Sequence, residues 1–288
     1  MIINKLSLYG LVVSIFSIIA GAIVRATGSG DGCGSSWPTC NGEIIPQLKT
    51  SSELIEFSHR AISGILLIIT LIIFVKSFKN EVPILQKRVI WFLTFFVLLE
   101  ALIGAVIVIY EWVGLNSSAP RIIAVPLHLV NTFGLLGTYT LLLHLTKNSK
   151  TSLVNFFDRG FKIALILFLL TGATGSIAAL ADTIFPSDSF ITGLAEDFDL
   201  KSQVLTRLRI LHPIFASALS FYLYTEANRL QSEYKVITKN IKLLILLGVF
   251  LGVLNVVSNI ILPLSILHLL IADLLWIVYI YISAEKIT

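Results

Sequence analysis

Eight apolar stretches dominate this sequence, at roughly residues 6–24, 54–75, 89–110, 122–146, 162–183, 206–228, 241–262 and 263–284. Each approaches the ~20 residues a helix needs to cross a bilayer core. Hydrophobic residues make up 56% of the chain and charged ones only 13%, against about 25% charged in soluble domains. That excludes an ordinary soluble fold. The expected fold is all-α and integral to the membrane, with eight transmembrane helices. No small-residue cleavage site follows the first stretch, which reads as a retained helix. The last two stretches adjoin almost without a loop, and Pro263 marks the turn.

Basic residues set the expected orientation. One side of the membrane collects 14 Lys and Arg, including Lys5, Lys76, Lys87, Lys150, Arg159 and Lys286; the other collects 7, namely Arg25, Lys49, Arg60, Arg121, Lys201, Arg207 and Arg209. The richer side is expected to be cytoplasmic, with both termini inside a cell membrane. The net charge of +4 then reports topology and gives no reason to invoke nucleic acid.

The chain reads as a duplication: residues 1–150 as an amino-terminal four-helix half and 151–288 as a carboxy-terminal one. Leu127-His128-Leu129 aligns with Leu267-His268-Leu269, after which Leu135 matches Leu275 and Tyr139 matches Tyr279. Small residues follow the other two histidines at equal offsets, Ser63 and Gly64 after His59, Ala216 and Ser217 after His212. An even number of helices per half makes this a parallel repeat. Gly21 with Gly28, Gly104, and Gly172 with Gly175 are expected to let helices pack closely.

Within that frame four histidines fall at one depth. His59, His128, His212 and His268 each sit five or six residues inside the outer end of the second, fourth, sixth and eighth stretch. A lone membrane histidine is most simply a hydrogen-bonded packing residue. Four at one depth, two per half, point to axial ligands for two haems. His144, at the opposite end of the fourth stretch, has no counterpart and reads as interfacial.

The neighbours of the two pairs differ. Glu56 precedes His59 by three residues and shares its helix face. It is open to two readings: an acid that moves protons or stabilises positive charge, or an exposed residue favoured by the helix start. Arg209 holds the aligned position before His212. Arg25, Arg60, Arg207 and Arg209 are candidates to pair haem propionates, or are snorkelling side chains. Glu100 and Asp273 lie within apolar stretches, where acids are costly and mark proton paths or interhelical contacts. Pro213 is expected to kink the sixth helix beside His212. Cys33 and Cys40, in the first outer loop, suit a disulfide on an oxidising side or a pair of free thiols.

The first outer segment, Gly21-Ala-Ile-Val-Arg25-Ala-Thr-Gly-Ser-Gly30, continues through Cys33 to Trp37-Pro-Thr-Cys40-Asn-Gly42, and the second stretch opens Ile55-Glu-Phe-Ser-His-Arg60. Together with the eight-helix plan these motifs resemble the haem A synthase family. The resemblance implies oxidation of the C8 methyl of haem O to a formyl group by successive hydroxylations with water as the oxygen source. It assigns Glu56 as catalytic, His59 and His128 as ligands of substrate haem O, and His212 and His268 as iron ligands of a resident haem b cofactor. It also implies a Cys33–Cys40 disulfide, and partners such as haem O synthase and oxidase assembly factors. Some members carry a second cysteine pair in the later outer loop; here residues 185–203 have none and are acidic, which suggests a lid or docking surface.

Two other classes fit four paired histidines. One is a di-haem b-type quinol oxidoreductase that carries electrons without altering a porphyrin. The other is a haem transporter, to which a parallel repeat is suited.

Overall fold

The computed structural model describes residues 2–79, 81–148 and 156–286. Its regular elements are helices: α1 (Ile2–Ala26), α2 (Ser51–Lys79), α3 (Ile84–Ile109), α4 (Ala119–Lys147), α5 (Arg159–Ile184), α6 (Phe190–Phe198), α7 (Val204–Arg207), α8 (Leu211–Arg229), α9 (Lys235–Val257) and α10 (Leu262–Glu285). Among the described residues seven of these, α1 to α5 with α9 and α10, are long and apolar enough to cross a membrane. The boundary expected at residue 150 lies outside the described residues.

The helix starts follow local chemistry. Thr50 and Glu53 cap α2 reciprocally: the Thr50 hydroxyl accepts from the Glu53 amide (3.1 Å) and the Glu53 carboxylate from the Thr50 amide (3.3 Å), the capping-box arrangement. The Asp158 carboxylate accepts from the Phe161 amide and caps α5. Pro263 sits in the first turn of α10, where its missing N–H costs nothing. The tight reversal before it uses two residues of positive φ, Asn259 (56°) and Ile260 (58°).

The sixth expected span, 206–228, is not one kinked helix. It is α7, then a 3-10 turn over Leu208–Ile210, then the 19-residue α8. The Pro213 ring cannot coexist with an α-type bond to the carbonyl four residues back, so the chain tightens ahead of it and α8 begins just before the proline. Polar Glu226, Asn228 and Arg229 fill its last turn, which leaves a shorter apolar run than in the other seven.

Helices pack in the same order in both halves. α1 lies on α2, α2 on α3, α3 on α4 and α4 on α1; α5 lies on α8, α8 on α9 and α9 on α10. The histidine-bearing helices α2 and α4 are therefore alternate members of a closed ring, and α8 and α10 alternate members of the row α5, α8, α9, α10. The halves meet along α1, α4, α5 and α10. An aromatic cluster fills this seam: the Trp276 indole donates to the Phe133 carbonyl (2.8 Å) and packs edge-on against Phe133 and Phe168. The repeat-related Leu135, Leu275, Tyr139 and Tyr279 are all buried.

His144, in the last turn of α4, is buried, packed edge-on against Tyr281, with Nδ1 3.7 Å from Glu285. One expectation needs correction: Gly28 is not a packing glycine. It has φ of 67° and nothing near its absent Cβ, so it serves the turn that leaves α1.

Candidate functional site

α1, α3, α5 and α9 each run toward one end of the molecule, and the helix that packs against each starts there with its histidine. At all four crossings a glycine faces the imidazole. A Cβ built on Gly21 would stand 3.1 Å from His59 Cε1, on Gly104 3.7 Å from His128, on Gly175 2.9 Å from His212, and on Gly252 3.0 Å from His268. Four imidazoles thus lie in four glycine cradles in one register. All four are half-buried.

In the carboxy-terminal half the rings are tied to backbone. His212 Nδ1 lies 3.2 Å from the Thr171 carbonyl, and His268 Nδ1 3.0 Å from the Gly248 carbonyl. A carbonyl oxygen only accepts, so Nδ1 carries the proton and Nε2 keeps a free lone pair. The two ring centroids lie 6.0 Å apart with planes at 88°. With about 2 Å per metal–imidazole bond and about 1 Å from nitrogen to centroid, a separation of roughly 6 Å leaves room for one metal ion between two imidazoles. The donor set fits a haem iron, to which His212 and His268 would supply nitrogen donors.

His128 is held differently. Its Nδ1 lies 3.1 Å from Glu100 Oε1, outside hydrogen-bond geometry. Glu100 also accepts from the Asn131 amide of α4. Among the described residues no three His, Cys, Asp or Glu side chains cluster as a compact metal centre, which leaves paired imidazoles as the metal-binding chemistry on offer.

Above the amino-terminal pair sits the first loop, closed by the Cys33–Cys40 disulfide. Glu56 is 3% exposed. Its carboxylate accepts from the Cys33 amide (2.8 Å) and pairs with Arg60, whose guanidinium also donates to the Ser36 and Thr39 carbonyls. Acid and base together clamp the disulfide loop one turn from His59.

The aligned position in the other half does the same job with opposite charge. Arg209 binds Asp182 (2.9 Å), Asp197 (2.7 Å) and Glu196 (3.5 Å), which ties α6 to α5 and to the turn that precedes His212. Burial works against the charge on Arg209, yet the carboxylates of Asp182 and Asp197 hold its guanidinium above the ordinary range. Arg25 crosses between halves to the Ala179 carbonyl and Thr183 hydroxyl of α5. Arg207 differs: its Nε is buried without a partner. Asp273, deep in α10, is 1% exposed with one carboxyl oxygen unpartnered.

The sequence matches COX15-CtaA, described as cytochrome oxidase assembly protein, over residues 4–53 and 47–280. The chain belongs to the COX15-CtaA family. Within and around that family it is 31% identical over 297 residues to a protein of Thermus thermophilus named protoheme IX farnesyltransferase, covering 97% of this chain and 47% of that relative. The chain thus spans about half the length of this curated relative. It is 28% identical over 281 residues to a heme A synthase of Staphylococcus epidermidis, covering 92% of this chain and 89% of the relative. A heme A synthase of Staphylococcus haemolyticus is 40% identical over a shorter stretch of 107 residues.

Of these features, Gly252, Thr171 and Gly248 were missed by sequence reasoning. The available signal was register: each cradle glycine lies four residues after the position that meets Nδ1, Thr171 before Gly175, Gly248 before Gly252, and Glu100 before Gly104.

Proposed function

We propose that this chain is a haem A synthase, converting haem O to haem A. The observation that carries the reading is the pairing of His212 and His268, ring centroids 6.0 Å apart with each Nδ1 on a backbone carbonyl, in a COX15-CtaA chain that resembles a heme A synthase over nearly its full length. His212 and His268 hold a resident haem b, which when bound supplies one-electron transfer to an acceptor. His59 and His128 hold the iron of the substrate haem O. The arrangement is two parallel four-helix units, with α8, roughly 28 Å long at 1.5 Å per residue, as an eighth crossing. The repeated packing order and the four matching cradles support this plan.

The overall change takes one oxygen from water and releases four protons and four electrons as methyl becomes formyl. Glu56 is the acid at the reacting edge, where it stabilises positive charge or takes a proton. Its burial, and the clamp that fixes it one turn from His59, support that role. The unpartnered Nε makes Arg207 the foremost of the propionate candidates, since Arg25, Arg60 and Arg209 already hold protein groups. The basic-residue asymmetry supports a cell-membrane location with both termini cytoplasmic. The Thermus relative, named for haem farnesylation and about twice as long as the matched stretch, supports a haem O synthase as partner; the family description supports oxidase assembly.

Glu56→Gln tests the assignment. The variant is expected to retain both haem sites but to stop oxidation, with haem O or a hydroxylated form accumulating in extracted pigments. An unchanged haem A yield removes Glu56 from the mechanism.

A further inference from the structure

The four cradles share a register but not an acceptor. In α5 and α9 the residue four before the glycine offers its backbone carbonyl to the imidazole Nδ1, at 3.2 Å and 3.0 Å. In α3 that residue is Glu100, and it is the side chain that meets His128, with Oε1 3.1 Å from Nδ1. The other carboxyl oxygen accepts from Asn131, whose amide nitrogen also donates to the Phe96 carbonyl (2.9 Å). Asn131 is 5% exposed and lies one turn beyond His128 on α4. A chain of contacts thus runs from the α3 backbone through Asn131 and Glu100 to the imidazole.

We propose that Glu100 is a positioning residue for the substrate site: its carboxyl oxygen stands 3.1 Å from His128 Nδ1, where a carbonyl meets each ring of the other pair, and by turning into hydrogen-bond geometry it sets the His128 ring with Nε2 toward the haem iron. This rests on the reading of His128 as a substrate-haem ligand. A partner that orients a ligating imidazole contributes about 10–100-fold to metal affinity. The physical difference lies in stiffness. A helix carbonyl is fixed by the helix; a glutamate on rotatable bonds, steered by one asparagine, yields as a ligand enters and leaves. His212 and His268 are both tied to helix carbonyls, whereas His128 meets a side chain.

The test uses detergent-purified full-length protein that retains its resident haem, with haem B added as the probe of the second site. Binding is followed by the Soret band and the ferric low-spin EPR signal. Glu100→Ala is expected to weaken binding of added haem B about 10–100-fold and to change its EPR g values, while the resident haem signal stays as a control for folding. Glu100→Gln keeps a carbonyl oxygen in place and is expected to bind as the parent does. Asn131→Leu, which releases the carboxyl without removing it, is expected to fall between. Parent-like affinity and g values in Glu100→Ala overturn the inference. Equal loss in Glu100→Gln and Glu100→Ala overturns it as well, because the acceptor oxygen is then not what matters. If His128→Ala binds added haem B as the parent does, the ligand assignment itself fails, a different result from either.

Discussion

Gly175 on α5 and His212 on α8 are in such close register that a single methyl on the glycine would stand 2.9 Å from the imidazole Cε1. Nothing smaller than glycine exists, so the crossing and the ring orientation are set together. The same holds for Gly252 and His268 at 3.0 Å, whereas Gly104 and His128 leave 3.7 Å.

A graded effect follows. Gly175→Ala and Gly252→Ala should turn the rings off their carbonyl acceptors and lower the haem content of purified protein, each by about tenfold if the second-contact range applies. Gly104→Ala meets only ordinary van der Waals contact and should leave haem content near the parent's. Haem-to-protein ratio by pyridine haemochrome, with circular dichroism to confirm helicity, reads this out. Equal loss in all three would show that the cradles act only in helix packing.

The Glu56–Arg60 pair should matter for the loop as well as the chemistry. The two side chains are 3% and 10% exposed, and removing one partner of a buried pair costs about 3–5 kcal/mol. Arg60→Ala is therefore expected to lower the melting temperature and to open residues 33–40 to hydrogen exchange. An unchanged exchange pattern would mean the disulfide alone holds the loop.

Arg209→Ala should release α6 in the same manner. Its guanidinium joins Asp182, Glu196 and Asp197, and without it three carboxylates face one another. Protease cleavage between residues 185 and 203 should quicken. Cleavage at the parental rate would show that α6 is held by other contacts.

Asp158 offers a check on the opposite end. It caps α5 and pairs with Lys286 at 3.1 Å. Burial raises its pKa, but the Phe161 amide and Lys286 outweigh that and hold it below the usual carboxylate range. A depressed folded pKa means the contribution is present above the unfolded value of about 4 and is lost as pH falls through the folded value. Asp158→Ala should cost about 1 kcal/mol at neutral pH, and the gap from the parent should narrow in acid. A gap that stays constant to low pH would contradict the cap.

The histidine pattern made much of the site legible in sequence, because equal depth in four apolar runs is a one-dimensional signal. His59, His128, His212 and His268 could be placed at one end without coordinates. The partners of Nδ1 could not. Thr171 and Gly248 act through backbone oxygens, which any residue carries, so only the fold distinguishes them. The role of Arg209 was equally hidden: its charge suggested contrast with Glu56, while its contacts show both residues anchoring a loop. Residues 206–228 looked like one apolar helix because hydropathy does not register what Pro213 does to the backbone ahead of it. The burial of His144 was not legible from its position near a helix end, because it packs against Tyr281 and Glu285, more than a hundred residues away.

The most direct test of the account is pigment extraction from bacterial membranes in which this chain is produced together with a protohaem IX farnesyltransferase. Haem A, or its hydroxylated precursor, is expected with the parent chain, and only haem B and haem O with His59→Ala or His128→Ala. Haem O accumulating unaltered in the presence of the intact, haem-loaded parent would contradict the assignment and leave electron transfer as the function of the paired histidines.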